Sequence, residues 1–362
     1  MTQSSTSRLP DFFAKHRASL ITLLVLILLP FVVGLFDGAS PVSVWNNQSG
    51  NSKFVQGLAI EIFILALYAL SFDLIFGITG LLSFGHSMFF GVGAYLTGIA
   101  IKSFGLSLPA TLGVIFLAAI GQAILFGLVL PRVKGITFAL VTLGLGSVFH
   151  IIVMSSELGE YTGADVGLQG VVVPAFISPA NERLRFYFLA LLVLILVYLI
   201  YRRFVDSPTG RVCIAIRENE GRAQMLGYNT FYFKLAALLL SSFTAVLAGF
   251  LHTLYQPIVS PNVASLGFTV TALLIILIGG VGTLNGALVG AAVYRLLDFG
   301  LRRYVGESAS FINGAIYIAF VLFIPFGIVG TWRLKSFQIK YGWNRLLGMF
   351  DRDSKDPIGP RQ

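Results

Sequence analysis

The run Arg202–Asn229, RRFVDSPTGRVCIAIRENEGRAQMLGYN, decides how this chain is read, because it is a polar island between long apolar stretches. Arg202, Arg203, Arg211, Arg217 and Arg222 interleave there with Asp206, Glu218 and Glu220. Positive charge between membrane spans marks the cytoplasmic side. The island also carries its own helix punctuation. Ser207 suits an N-cap, Pro208 the first helical position, and Gly227 a helix stop. Two readings fit: a helical element held on the cytoplasmic face and shaped to be gripped by another protein, or an ordinary interspan loop with surface helices.

Composition settles the class around the island. The chain has 362 residues, 56% hydrophobic and 11% charged, with a mean hydropathy of +0.85. Soluble domains carry about 25% charged residues, so a single polytopic membrane domain is expected. A net charge of +9 would suggest nucleic acid in a soluble protein. Here it reflects the positive-inside bias and suits anionic membrane lipid, not nucleic acid. Cys213 is the single cysteine, which excludes an intrachain disulfide. Arg8, Lys15 and Arg17 precede an apolar run from Ser19 to Phe36 that is long enough to span and lacks a small-x-small cleavage site. It reads as a retained first span.

The expected fold is an all-α polytopic membrane protein with about ten transmembrane helices. They fall at 19–36, 57–76, 84–102, 108–130, 136–154, 185–201, 231–254, 267–281, 284–300 and 311–330. The eighth and ninth are short and close together, so one broken or re-entrant element fits as well as two spans. With both termini inside, ten crossings place 18 of the 25 Lys and Arg on the cytoplasmic side. Loop 155–184 fits the outside, while Arg302 and Arg303 fall on the wrong side. The layout is a cytoplasmic tail 1–18, a membrane domain 19–330 containing the cytoplasmic loop 202–229, and a cytoplasmic tail 331–362.

Two glycine-dense breaks echo each other in the two halves. Gly77-Ile-Thr-Gly80 leads into Ser83, Gly85 and His86, and Gly279-Gly280-Val-Gly282-Thr283 leads into Asn285-Gly286. Paired interruptions of this kind point to a translocation pathway, so Ser83, Gly85, His86, Gly279, Gly280 and Gly282 are its candidate residues. Plain helix packing is the competing account of any single glycine.

No catalytic set is present. The chain has no G-x-x-x-x-G-K-[ST] loop, no nucleophile elbow and no metal-ligand spacing among His16, His86, His150 and His252. No enzyme activity, metal or cofactor is expected. Ionisable residues inside spans are functional candidates by default, and here they are Glu61, Asp73, His86, His150, Arg295 and Asp298. Glu61 and Asp73 read as span-end carboxylates reaching the interface. Arg295 and Asp298 read as a local i,i+3 pair. His86 either lines the path or bonds a freed carbonyl. So sparse a set argues against a proton-coupled mechanism.

Five stretches in order carry a resemblance. They are Gly77-Ile-Thr-Gly-Leu-Leu-Ser-Phe-Gly-His86 with Phe89-Phe-Gly-Val-Gly-Ala-Tyr95, Lys134-Gly-Ile-Thr-Phe-Ala-Leu-Val-Thr-Leu143, Thr162-Gly-Ala-Asp-Val-Gly-Leu168, Ser207-Pro-Thr-Gly-Arg211 with Ala215-Ile-Arg-Glu-Asn-Glu220, and Gly279-Gly-Val-Gly-Thr283. From about residue 57 to 333 the chain resembles the M-type permease subunits of ATP-driven branched-chain amino acid importers. The resemblance implies a bacterial-type inner-membrane location and a second, related permease as partner. It also implies two ATP-binding subunits docked on the cytoplasmic face and an extracytoplasmic solute-binding protein. A coupling helix gripped by the ATPase would fall on Ala215, Ile216, Arg217, Glu218, Asn219 and Glu220, ending at Gly227. Three departures are visible: Ala287 replaces a proline, Pro325-Phe326-Gly327 replaces Pro-Arg-Gly, and Asp73 stands where many relatives have Asn. They leave open an importer of urea or short amides. A stand-alone secondary transporter is the reading from a different class.

Overall fold

The computed structural model describes residues 8–38, 40–46 and 50–332. Of the expected tails, residues 1–7 and 333–362 lie outside the described residues. The chain is helical almost throughout. Its principal helices are α1 (Arg8–Phe36), α2 (Asn51–Asp73), α3 (Ser87–Lys102), α4 (Leu108–Gly127), α5 (Ile136–Met154) and α6 (Arg183–Asp206). They are followed by α7 (Pro208–Met225), α8 (Thr230–Tyr255), α9 (Leu266–Gly279), α10 (Leu284–Val305) and α11 (Ala309–Phe323). After α11 the chain breaks at Ile324–Phe326, around Pro325, and winds helically again to Trp332. One two-residue antiparallel pair, Leu168–Gln169 with Ile258–Val259, joins distant loops.

Among the described residues, seven helices are long and apolar enough to cross a membrane, and three shorter apolar helices, Ile21–Phe36, Ser87–Lys102 and Leu266–Gly279, accompany them. All fall on expected stretches, and by length and composition seven are candidate spans. The bundle is built around α2, whose apolar window is 78% buried within the chain, against 17% for the last span. The helices α1, α6, α8 and α10 pack against it. Helix α3 crosses α8 at backbone contact. A Cβ at Gly93 would lie 2.3 Å from the Val246 carbonyl oxygen, and one at Gly249 would lie 2.2 Å from that of Phe90. Only backbones without side chains approach this closely.

Helix α3 is short because the chain reaches it without helix. A π-turn, Leu74–Ile78, unwinds the end of α2, and residues 79–86 run irregularly to Ser87. Such backbone is tolerated at membrane depth only where protein covers it, and Thr79, Ser83, His86 and Ser87 are all buried. The first turn of α3 is tied down at Ser87, whose N–H donates to Thr269 Oγ1 (2.9 Å) and whose hydroxyl donates to the Ala264 carbonyl (3.1 Å).

The eighth and ninth stretches are two helices, not one element. Helices α9 and α10 form an antiparallel hairpin turned at residues 280–283. A Cβ at Gly279 would meet the Gly286 carbonyl oxygen at 1.8 Å, and one at Gly290 the Ile275 carbonyl oxygen at 2.0 Å. This turn lies at the same end of the bundle as α7, the island end. Loop 155–182 lies at the opposite end, where Lys53 donates to the Ala180 carbonyl (3.2 Å) and Arg183 to the Lys53 carbonyl (3.2 Å).

Candidate functional site

The island folds by the caps its sequence carries. Ser207 Oγ accepts the Gly210 N–H (3.2 Å) with Pro208 following it. At the other end Gly227 takes φ +87, with Gly227 N–H on the Gln224 carbonyl (2.9 Å) and Tyr228 N–H on that of Ala223 (3.2 Å). That is the Schellman pattern. The segment Ala215–Gly227 is not one unbroken helix, however. Asn219, at φ −162 and ψ 99, breaks α7 into turns over 208–218 and 220–225. Its side chain caps the second piece, Oδ1 accepting the Arg222 N–H at 2.9 Å.

Gly210, Cys213, Ile216 and Ala223 form the buried side of the island, while Ala215, Arg217, Glu218, Asn219 and Gly227 are exposed. Met225 and Leu226 are 89% and 73% exposed. Glu220 ties the island to α8, accepting from Lys234 Nζ (2.6 Å) and Thr230 Oγ1 (2.9 Å). Burial works to raise its pKa, but the hydrogen bond and charge of Lys234 outweigh that and hold Glu220 below the usual carboxylate range. Cys213 is fully buried, its thiol directed at the Phe233 carbonyl (3.7 Å). Burial pushes the thiol up to about 11. Because the thiolate is the reactive form, Cys213 is expected to resist maleimide at pH 7.5 in the resting protein, as mass spectrometry of the labelled chain would show. Rapid quantitative labelling would mean the island does not rest on α8.

Above the island the two glycine breaks touch. The Gly282 N–H donates to Asp73 Oδ1 (2.7 Å), and a Cβ on Gly77 would lie 2.5 Å from that same nitrogen. Arg217 of the island donates through Nη1 to the Gly77 carbonyl. Gly280 packs its backbone against Phe326 and Gly330 beyond α11. One arginine therefore holds the end of α2, and through Asp73 that end holds the α9–α10 turn. The expectation that Asp73 reaches the interface is corrected: it is fully buried, and its Oδ2 has no hydrogen-bond partner among the described residues.

Ser83, Gly85 and His86 lie in the irregular run leading to α3, apart from this joint. A Cβ at Gly85 would meet the Thr142 carbonyl oxygen of α5 at 1.9 Å. Ser83 Oγ is buried with no partner among the described residues. His86 bonds Ser71 Oγ through Nε2 (2.8 Å), and the Ser71 hydroxyl donates to the Tyr68 carbonyl (2.6 Å). His86 thus bonds a side chain and not a freed carbonyl.

Glu61 is also corrected. It lies at the middle of α2, not near a span end, and pairs with Arg295 at the middle of α10. The expected Arg295–Asp298 pair is present at 3.0 Å. Arg302, awkward for the charge count, is neutralised by Asp298 at 2.9 Å. The Glu61–Arg295 contact spans 234 residues of chain, and no local pattern signals it. Among the described residues no three His, Cys, Asp or Glu groups are placed to hold a metal.

Residues 54–325 match the family described as branched-chain amino acid transport system, permease component. The chain is 26% identical over 311 residues to the high-affinity branched-chain amino acid transport system permease protein LivM of Salmonella typhimurium, covering 78% of this chain and 72% of that protein. It is 25% identical to LivM of Escherichia coli K12, covering 77% and 70%. It is 22% identical to the permease protein LivH of the same strain, covering 73% and 91%. No solved structure matches it.

Proposed function

The chain belongs to the branched-chain amino acid transport system permease family, and from that premise we propose that it is one of two related permease subunits of an ATP-driven importer for branched-chain or related amino acids. Its multi-pass helical body is the membrane domain of a transport protein, not of an enzyme family. In the proposed arrangement residues 19–330 form that domain, and loop 202–229 with both termini faces the cytoplasm. Two ATP-binding subunits dock on the cytoplasmic face of the permease pair, one of them gripping the island, and a solute-binding protein delivers the amino acid on the opposite face.

The observation that carries this reading is the island itself. It is capped at both ends and pinned through Glu220 and Cys213, yet it offers Met225 and Leu226 to the exterior at an end of the bundle rich in arginine. Apolar side chains so placed outside the lipid are the mark of a partner surface. Behind them Arg217 holds Gly77, so a partner that moves the island moves the two glycine breaks. Rigid movement of packed helices then switches access between the two faces.

Affinity purification in mild detergent, with identification of the co-purifying chains, tests this. A second apolar permease and two P-loop ATPases are expected, and the purified assembly in proteoliposomes should take up leucine with ATP at the island side. A chain that purifies alone after crosslinking, and that takes up solute on an ion gradient without ATP, would overturn the reading.

A further inference from the structure

Halfway along α2 and α10, where the two helices face each other, lies a group of charges that the proposed coupling does not use. Arg295 donates to Glu61 through Nε, with Nη2 against the same carboxylate, and its Nη1 donates to Asp298 Oδ2 at 3.0 Å. Asp298 Oδ1 accepts from Arg302 Nε at 2.9 Å and from Asn313 Nδ2 of α11 at 3.2 Å. Gln256 Nε2 at the end of α8 donates to Glu61 Oε1 at 3.3 Å. Two acids and two arginines leave the group neutral. Asn313 is 6% exposed, and its carbonyl oxygen has no partner among the described residues, so the group keeps an unused acceptor beside its charges.

The group is not sealed. The side chains of Arg295 and Glu61 remain 23% and 21% exposed. Ionised groups within a span are costly against lipid tails, and such charges face a bundle interior or a water-filled cavity. On this side α10 is the least apolar of the seven candidate spans, while the last span, apolar and the least buried, turns Phe311, Ile318, Leu322 and Phe323 outward. The α2–α10 face at Arg295 and Glu61 therefore meets something polar.

We infer that this side lines the solute path and that Arg295, Glu61 and Asp298 receive the charged end of a zwitterionic α-amino acid, the carboxylate on the Arg295 guanidinium and the ammonium on the two acids. Arginine meets a carboxylate with two parallel donors. The solute brings one charge of each sign, so it can replace the Arg295–Glu61 contact without leaving either residue unpaired. A neutral solute such as urea cannot make that exchange. The inference rests on the importer reading above and deepens it by choosing amino acids over amides.

The test uses the complete assembly, with partner permease, ATPases and binding protein, in proteoliposomes charged with ATP. Arg295→Gln is expected to lower leucine uptake at least tenfold while ATP hydrolysis stimulated by the binding protein persists. Uptake equal to wild type in Arg295→Gln, or in the double variant Glu61→Gln/Arg295→Gln, would make the pair a structural strut and overturn the inference. A second measurement does not depend on removing the charge. Ala292 lies one turn from Arg295 on α10, and Ala292→Cys in a Cys213→Ala background keeps the residue small. A water-soluble methanethiosulfonate reagent should label it, and leucine delivered by the binding protein should slow that labelling. A thiol that stays unlabelled would place lipid or packed protein on this side and equally overturn the inference. If wild-type assemblies fail to take up leucine, the importer reading itself has failed, and the two failures are told apart.

Discussion

Gly290→Ala should destabilise the protein while Gly300→Ala, ten residues later in the same helix, should not. A methyl at position 290 would sit 2.0 Å from the Ile275 carbonyl oxygen, with the Gly279 nitrogen 3.1 Å away. Both are backbone atoms of α9, so no side chain can turn aside. The helices must separate, and the contacts of Gly279 with Gly286 separate with them. Forcing atoms into a packed interface costs about 1–3 kcal/mol, occasionally more. At Gly300 nothing lies within 4 Å. There alanine brings only its better helix propensity, about 1 kcal/mol. The comparison is direct because both sites are in α10. The fraction of monodisperse protein after graded heating in mild detergent should fall for Gly290→Ala and hold or rise for Gly300→Ala. Equal curves would show that α9 and α10 do not form the tight hairpin described.

The second large effect is expected at Arg217. Its guanidinium binds the Gly77 carbonyl where α2 unwinds, and through Asp73 and the Gly282 N–H the same contact reaches the α9–α10 turn. Arg217→Ala removes the connection and leaves the capped island in place, because Ser207, Asn219, Glu220 and Gly227 are untouched. In the assembled importer, ATP hydrolysis should persist while leucine uptake drops by about tenfold, equivalent to about 1.4 kcal/mol of lost coupling. Asp73→Asn keeps an oxygen for the Gly282 N–H and should do less. Asp73→Leu leaves that buried N–H without a partner, which costs about 1–3 kcal/mol, and should do more. The ratio of solute moved to ATP hydrolysed is the quantity to measure. An unchanged ratio in Arg217→Ala would remove this joint from the mechanism and leave the island as a docking element only.

Much of the architecture is legible in the sequence because local rules govern it. Apolar runs locate the spans, and Ser207, Pro208 and Gly227 delimit the island through caps involving nearby residues. Of the two glycine breaks, Gly77 and Gly282 meet, while Ser83, Gly85 and His86 lie apart from them. Three features escape. The break at Asn219 rests on its Oδ1 accepting the N–H of Arg222 three residues on, and the run from Ala215 to Glu220 carries no glycine or proline to mark it. Asp73 and Glu61 look like span ends on α2 alone, yet their partners are Gly282 and Arg295, more than two hundred residues away. No pattern along one helix reports what an opposite helix offers. The open choice between one and two elements at residues 267–300 turned on how closely Gly279, Gly286 and Gly290 let two backbones approach, which is a property of both helices together.

The same hairpin bears on how the chain is made. A helix with Arg295 and Asp298 near its centre is a poor candidate for release into the bilayer, since each charge there costs about 2.5–3.5 kcal/mol on the insertion scale. Helix α9, which leaves the ribosome just before it, holds no charged residue. Four residues, 280–283, separate the two. They are therefore expected to leave the translocon as one unit, the favourable transfer of α9 drawing α10 in with it. Glu61, synthesised 234 residues earlier, is already in place in α2 to meet Arg295 on arrival.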